Sequence, residues 1–425
     1  MRNIPEDPAI RGDLPRLLVL ASTLPARLGD GTPGFVDDLA RVESKAFRTW
    51  VLAPMVPGGR AAEERDGVEI RRYRFFPRRW EDLADGAILE NLRGRRSRWL
   101  QVPSFFGAGA LAVWRAVREI RPDVVHVHWI IPQGLMALVA ARRVPWLVTT
   151  LGGDLYALTA GPLRLLKQMV LRRAAGVTVM NGEMRDLVIG MGVPPDRVQV
   201  LPMGVDLARL DTAAGAGEGG PVPGRLVFVG RLVEKKGLAV LLSALHELPP
   251  DLDWSLDVVG DGPLRAELER QARPLGARVR FSGQQSAATL ARTLRGAEVA
   301  VFPSVRARSG DQDGLPVAML EAMAAGAAIV ASDLPGMAEA LHGEEPAGLV
   351  VEPGDTGALA ASLIRVLSDS TLRARLGAAA ASRSAEYSVE SIGARYVELL
   401  RAAVSTREPR RRLIRWPRGS AGAQR

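Results

Sequence analysis

Short, unbroken apolar runs alternate with longer segments of helical spacing along nearly the whole chain. This alternation limits the fold more than any other feature. In the first half the runs are RLLVLAS (16–22), TWVLAP (49–54), VVHVHW (124–129), WLVTTL (146–151), GVTVMN (176–181) and VQVLPMG (198–204). In the second half they are RLVFVG (225–230), LDVVG (256–260), VRFSG (279–283), VAVFPS (299–304), AAIVAS (327–332) and GLVVEP (348–353). Strands that are apolar on both faces and separated by helices form parallel sheets covered on each side. Between the two series, TAAGAGEGGPVPG (212–224) is rich in Gly, Ala and Pro without periodicity, which marks a linker. The expected fold class is α/β, with two doubly wound domains facing each other across a cleft. Ligands of such sheets bind beyond the carboxyl ends of the strands, so the loops after strands should carry the chemistry.

Composition sets the outer limits. A chain of 425 residues accommodates two domains of ordinary size. Its 47% hydrophobic and 24% charged content is that of a globular protein. No apolar run approaches the ~18–20 residues of a membrane-spanning helix. The polar, proline-broken start MRNIPEDPAIRGD argues against a signal peptide. The absence of cysteine excludes disulfides and thiolate metal sites. A cytoplasmic location is the expectation.

The net charge of +9 is concentrated in RRYRFFPRRW (71–80), RGRRSRW (93–99) and REPRRRLIRWPR (407–418). Arginine interleaved with Trp and Phe suits an anionic lipid surface. It also fits nucleic acid or a merely solvated arginine-rich face. No DNA- or RNA-binding motif accompanies the clusters, so nucleic acid is not an expected partner. The reading of interest is peripheral contact with the inner face of the plasma membrane.

In the first half, GDGTPG matches G-x-G-x-x-G at Gly29, Gly31 and Gly34. A dinucleotide site would also need an acid ending the second strand, where Pro54 stands instead. A glycine loop approaching a phosphate or an acceptor fits better. His126 and His128 are two apart on a strand and share one face. A metal would need a third ligand, and nothing frames one. Of the pair, His128 is the candidate to reach a cleft ligand, against a purely structural role in the sheet. After the next strand, Gly152 and Gly153 let the backbone approach a ligand. Asp154 follows, able to accept from hydroxyls or to cap a helix.

In the second half, VGRLVEKKG places Gly230, Arg231 and Lys236 in a tight strand-to-helix connection. Two cations beside a helix N-terminus suit a diphosphate, against the alternative of an ordinary basic loop. The G-x-x-x-x-G-K-[ST] loop of nucleotide triphosphatases is absent. In SGDQDGLPVAMLEAMAAG (309–326), Asp313 and Glu321 flank a Gly314-Leu315-Pro316 turn with seven residues between them. Pro316 suits the first helical position. Roughly 10 Å along the chain, at ~1.5 Å per helical residue, then separates the two carboxyl groups. That exceeds the ~5 Å of a retaining glycosidase pair and suits two groups gripping different parts of one long ligand.

Together DVVHVHWIIPQG, GGDLYAL, VLPMGVD, VGRLVEKKG, VVGDGPLRAEL and GLPVAMLEAMAAG resemble, in order, segments of the retaining glycosyltransferases of family four, which have the GT-B fold. The resemblance covers nearly the whole chain. It implies an N-terminal acceptor-side domain (1–205), completed by a crossover helix near 387–404. It implies a nucleotide-sugar-binding domain (206–386), and residues 405–425 are left as a basic tail. By the same resemblance, Arg231 and Lys236 would neutralise a donor diphosphate. Glu321 would hold the ribose hydroxyls and Asp313 would face the donor sugar. Amides at Gly314 and Leu315 would assist.

The implied reaction is transfer of a sugar, with retention, from a nucleotide-sugar to a hydroxyl of a sugar, polysaccharide or lipid-linked acceptor. No metal and no further cofactor is required. Two departures stand out: Asp313 where glutamate is usual, and Leu151 where many members carry histidine or another polar residue. The alternatives are a sugar-nucleotide epimerase of the same fold and a catalytically silent binding subunit.

Overall fold

A computed structural model describes residues 14–27, 34–86, 88–156, 161–209 and 220–405. The first sheet holds β1 (Arg16–Leu20), β2 (Arg48–Pro54), β3 (Ala62–Arg65), β4 (Val68–Tyr73), β5 (Val124–His128), β6 (Trp146–Thr149), β7 (Gly176–Val179) and β8 (Val198–Val200). Their order is β3-β4-β2-β1-β5-β6-β7-β8. The second sheet holds β9 (Arg225–Val229), β10 (Ser255–Val259), β11 (Val279–Gly283), β12 (Val299–Phe302), β13 (Ala328–Ser332) and β14 (Gly348–Val351). Its order is β11-β10-β9-β12-β13-β14. Every pairing is parallel except β3 with β4. Each of the twelve apolar runs contains one strand.

The apolar character of the strands explains the layering. Val19, Val51, Val125, Val127 and Val148 are fully buried in the first sheet, as are Val227, Val258, Val301 and Val330 in the second. Each such side chain contributes on the order of 1.5–3 kcal/mol on burial. Strand order reverses between β1 and β5 in one sheet and between β9 and β12 in the other. These two switch points, where neighbouring loops diverge, are where a doubly wound sheet opens a crevice.

The last helix, Val389–Ser405, returns to the first domain. It packs on helix Phe35–Glu43 and buries Ile392, Tyr396 and Leu400 in the first core. The Tyr396 hydroxyl donates to the Leu201 carbonyl at 3.1 Å. Just before the helix, Val205 and Ser388 form a parallel bridge where the chain passes between domains.

Three sequence expectations change. The basic-aromatic run 71–80 is not one surface patch, because residues 71–73 belong to β4. Arg72 and Phe75 are buried, and Arg74 pairs with Glu81 at 2.8 Å. Arg74 and the end of the run, Pro77 to Trp80, are exposed. Secondly, Pro316 is the N-cap of helix Val317–Ala324 rather than its first residue. Its carbonyl accepts from the Met319 and Leu320 amides. Thirdly, β3 and β4 were not anticipated at all. The basic tail from 406 and linker residues 212–219 lie outside the described residues.

Candidate active site

The second sheet's switch point is framed by the loops after β9 and β12. Gly230 follows β9 and donates to the Val259 carbonyl at 3.0 Å. A single turn, Glu234–Lys236, then leads through Gly237 into helix Leu238–His246. Gly237 has φ +68°, and a Cβ there would sit 1.7 Å from the Pro303 carbonyl oxygen. No other residue lets these two loops approach so closely. The approach brings Lys236 Nζ to 2.9 Å from Asp313 Oδ2, which also accepts from Ser304 Oγ at 2.7 Å. Lys235 lies 3.2 Å from Asp311 and 3.7 Å from Asp313.

Lys236 and Asp313, expected on separate parts of a ligand, therefore meet each other. Burial pushes the Asp313 carboxyl up, but Lys236 and Lys235 beside it outweigh that and hold it below the usual range. Arg231 is exposed at the same loop, and the stem of Lys236 packs over Gly230.

Glu321 lies in the second turn of helix Val317–Ala324. Burial pushes its carboxyl up to about 7, with Arg209 opposing and Asp38 reinforcing the shift. Arg209 forks onto Asp38 from the first domain at 2.7 and 2.9 Å, and its amide donates to Asp206. Gly34 lies against this pair: a Cβ there would be 3.5 Å from Asp38 Oδ2 and 3.6 Å from Arg209 Nη1. Gly31 lies outside the described residues. Arg209, Asp38, Lys235 and Ser304 escaped the sequence reading. Lys235 and Ser304 had a signal, since both sit in strand-end loops beside named candidates. Arg209 and Asp38 had none, because only the crossing between domains brings them together.

On the first domain, the Gly152-Gly153 turn faces the Asp311–Gly314 loop. Gly152 has φ +102°, and a Cβ there would meet Gln312 O and Gly314 N at 3.7 Å. A Cβ at Gly153 would be 3.7 Å from Asp311 Oδ1, and one at Gly314 would be 3.1 Å from Met180 Cβ. Leu315 packs into the second core. Glu183 joins the domains, accepting from Tyr156 OH at 2.9 Å and from Gln312 Nε2 at 2.7 Å. Glu339 accepts from the Gly182 amide at 2.9 Å.

Asp154 is not an open cleft residue. It is buried and accepts from Ile130 N, Thr150 Oγ1 and Leu151 N at 2.7, 2.7 and 3.2 Å. It ties the ends of β5 and β6 together.

His128, expected to reach a cleft ligand, is also fully buried, because helices cover this face of the sheet. Its ring lies tilted 4.2 Å from that of His126, and burial, with His126 beside it, keeps the imidazole neutral. His126 is satisfied by Glu43 at 2.7 Å and Thr149 at 2.8 Å. Both ring nitrogens of His128 lack a partner among the described residues. Next to it Trp129 adopts φ +72°, a backbone state costing on the order of 1–3 kcal/mol. Among the described residues no group of three or more His, Cys, Asp or Glu is placed to hold a metal.

Two family models match the chain: "Glycosyl transferase 4-like domain" over residues 35–204 and "Glycosyl transferases group 1" over residues 223–369. The phosphatidyl-myo-inositol mannosyltransferase of Mycolicibacterium smegmatis is 38% identical over 209 residues, 48% of this chain and 51% of that protein. The amylovoran biosynthesis glycosyltransferase AmsK of Erwinia amylovora is 32% identical over 182 residues, 42% of this chain and 44% of that protein. The chain thus matches about half the length of these relatives. The glycogen synthase of Mycobacterium tuberculosis is 29% identical over 317 residues, 70% of this chain and 73% of that protein.

Among solved structures, sucrose-phosphate synthase from Thermosynechococcus elongatus superposes with a TM-score of 0.72 at 22% identity, covering 92% of this chain and 100% of that one. Anabaena HepE in complex with UDP-glucose gives 0.65 at 18% identity, covering 91% and 99%. These likenesses concern the fold. With both family models in chain order on the two domains, the chain belongs to the group 1 glycosyltransferases and has the GT-B fold.

Proposed function

We propose that the protein is a retaining glycosyltransferase that moves a sugar from a nucleotide-sugar to a hydroxyl acceptor in bacterial polysaccharide, glycolipid or cell-envelope synthesis. The observation that carries this reading is the loop pair at the second switch point. Lys235 and Lys236 pair with Asp313 just before the Gly314-Leu315 turn, Arg231 is exposed on the same loop as the lysines, and Glu321 lies in the helix that follows. A diphosphate fits the cations and amides. The Glu321 carboxylate fits the vicinal hydroxyls of a ribose. A UDP-glucose complex of Anabaena HepE supports a sugar-nucleotide as ligand class.

In the reaction the bond from the anomeric carbon to the phosphate oxygen breaks, and a bond to the acceptor oxygen forms on the same face. The acceptor proton passes to the departing diphosphate. Arg231 and Lys236 stabilise the charge that develops there. Lys236 shares its ammonium between the diphosphate and Asp313, so the shorter acid serves first to aim that lysine and then to meet the sugar. The Gly34 and Gly152-Gly153 turns leave space for the acceptor. No cofactor beyond the donor enters this scheme.

The domains divide near residue 205, with the segment after 387 returning to the acceptor side. Exposed Trp80 and Trp99 among arginines support a location on the cytoplasmic face of the membrane, beside a lipid-linked acceptor. The test is to follow the anomeric proton by NMR while the protein turns over candidate donors with lipid and oligosaccharide acceptors. A product that keeps the donor's configuration supports the proposal. An isomerised donor without transfer marks an epimerase, and folded protein that turns over nothing marks a binding subunit.

A further inference from the structure

Three helices cover one face of the first sheet: Val102–Ile120, Leu135–Ala140 and Gly161–Arg173. Between them runs an open groove of ≈ 530 Å³, lined by apolar side chains including Phe106, Leu135, Leu138, Leu166 and Met169, with Arg142 and Arg173 at its rim. The surface around it is unusually apolar for a solvated helix layer. Val139 is 61% exposed, Leu165 62%, Met169 55%, Leu111 45% and Trp114 42%. Contiguous exposed apolar area of this kind marks an interaction site.

Charge selects the occupant. The segments 102–120, 135–143 and 161–173 carry Arg115, Arg118, Arg142, Arg143, Arg164, Arg172 and Arg173, all exposed. Their only acid is Glu119, which is paired with Arg71 at 2.9 Å. A second copy of this face would set arginine against arginine. The tail REPRRRLIRWPR is itself basic and is repelled for the same reason. An apolar groove ringed by cations fits a lipid with an acyl chain and an anionic headgroup.

The orientation also fits. The helix Val102–Ile120 leads into β5 and runs antiparallel to it, so its start lies at the cleft edge of the sheet. Trp80, Trp99 and Leu100, exposed by 55%, 59% and 75%, sit at that same end, where Gln101 Nε2 donates to the Trp80 carbonyl at 2.7 Å. The apolar face therefore extends towards the cleft mouth.

We infer that this groove is a lipid-docking site that takes an acyl chain of an anionic phospholipid and holds the cleft mouth against the bilayer. The inference rests on the membrane contact proposed above and not on the transferase chemistry. The chain has no cysteine, so Val139→Cys and, separately, Trp80→Cys give single attachment points for an environment-sensitive fluorophore. The probes are phosphatidylcholine vesicles with and without phosphatidylglycerol, and the readouts are emission shift and flotation.

The expected result is a blue shift at position 139 only with phosphatidylglycerol. Flotation should fall at least tenfold in the double variant Val139→Glu/Met169→Glu, and thermal unfolding should change little because both sites are exposed. Vesicle binding that survives this double variant, with a shift at position 80 but none at 139, would overturn the groove and leave the general membrane contact standing. Absence of wild-type flotation would overturn both. Self-association lost in the double variant would instead make the face a protein interface and also overturn the inference. None of these outcomes bears on sugar transfer, which is read separately.

Discussion

Asp154 and Asp313 are both buried aspartates in the connections that follow strands, one in each domain, yet they are shifted in opposite directions. Burial dominates at Asp154, whose partners are two amides and a hydroxyl, and its carboxyl is pushed up. Lysines dominate at Asp313, which is held down and ionised. The same contrast runs through the two sheets. In the first, burial drives Glu43 up and His126 down to about 3, so the pair meets as neutral groups. Thr149, Thr178 and Tyr396 extend this network into the last helix. In the second, cations and a carboxylate remain charged at the rim of the cleft. Around His126 neutral polar groups lock strands and helices of the first domain together, whereas at Asp313 an ion pair is kept in the loops that face that domain.

The largest effect that would sharpen this contrast is expected at Lys236. Lys236→Ala removes a cation from the developing diphosphate and should lower the transfer rate by about 10²–10³. Single-turnover assays at saturating donor would measure it. A loss confined to donor KM would instead make Lys236 a ground-state binder.

Gly237→Ala should come next. The positive φ and the Pro303 carbonyl leave no space for a methyl group, so unfolding should ease by roughly 3 kcal/mol. Denaturant titration would show this as an earlier midpoint of the second domain. An unchanged midpoint would mean that the two loops are not pressed together.

The third effect is a pH dependence. Burial pushes the Glu321 carboxyl up to about 7, and its ionised form is the stronger acceptor for two hydroxyls. Donor affinity should therefore be full above pH 7 and fall as pH drops below it, by up to about tenfold per unit. Glu321→Gln should flatten the profile. A wild-type profile that is level between pH 5 and 8 would contradict the assignment.

The smallest effect probes the neutral network. Tyr396→Phe deletes the bond to the Leu201 carbonyl and should cost about 1 kcal/mol, with donor affinity unchanged. A change in donor affinity would show that the two sheets are coupled more tightly than their chemistry suggests.

What the sequence disclosed follows the same physics. Strands buried on both faces announce themselves as continuous Val and Leu, and twelve of fourteen were read from that signal. The two missed, AEER and VEIRRY, are rich in charge because β3 is the edge strand and β4, next to it, buries only every second residue. Arg72 looked like surface charge, yet its side chain is buried against Glu63. Lys236 and Asp313 were legible because they lie in the connections after strands, and Glu321 because it sits in the helix that follows Asp313. Their mutual pairing was not, since it depends on the contact at Gly237. Neither was the Arg209–Asp38 fork, whose partners are 171 positions apart. The identities of the nucleotide, the sugar and the acceptor are matters of pocket shape, which no motif encodes.

The most direct test of the central claim is calorimetric titration of wild type and Glu321→Ala with UDP-, GDP-, ADP- and dTDP-sugars and their free nucleotides. The account predicts selective binding of one nucleotide class by the wild type and its loss in the variant. Failure of folded wild-type protein to bind any of them, or equal binding by the variant, would contradict it.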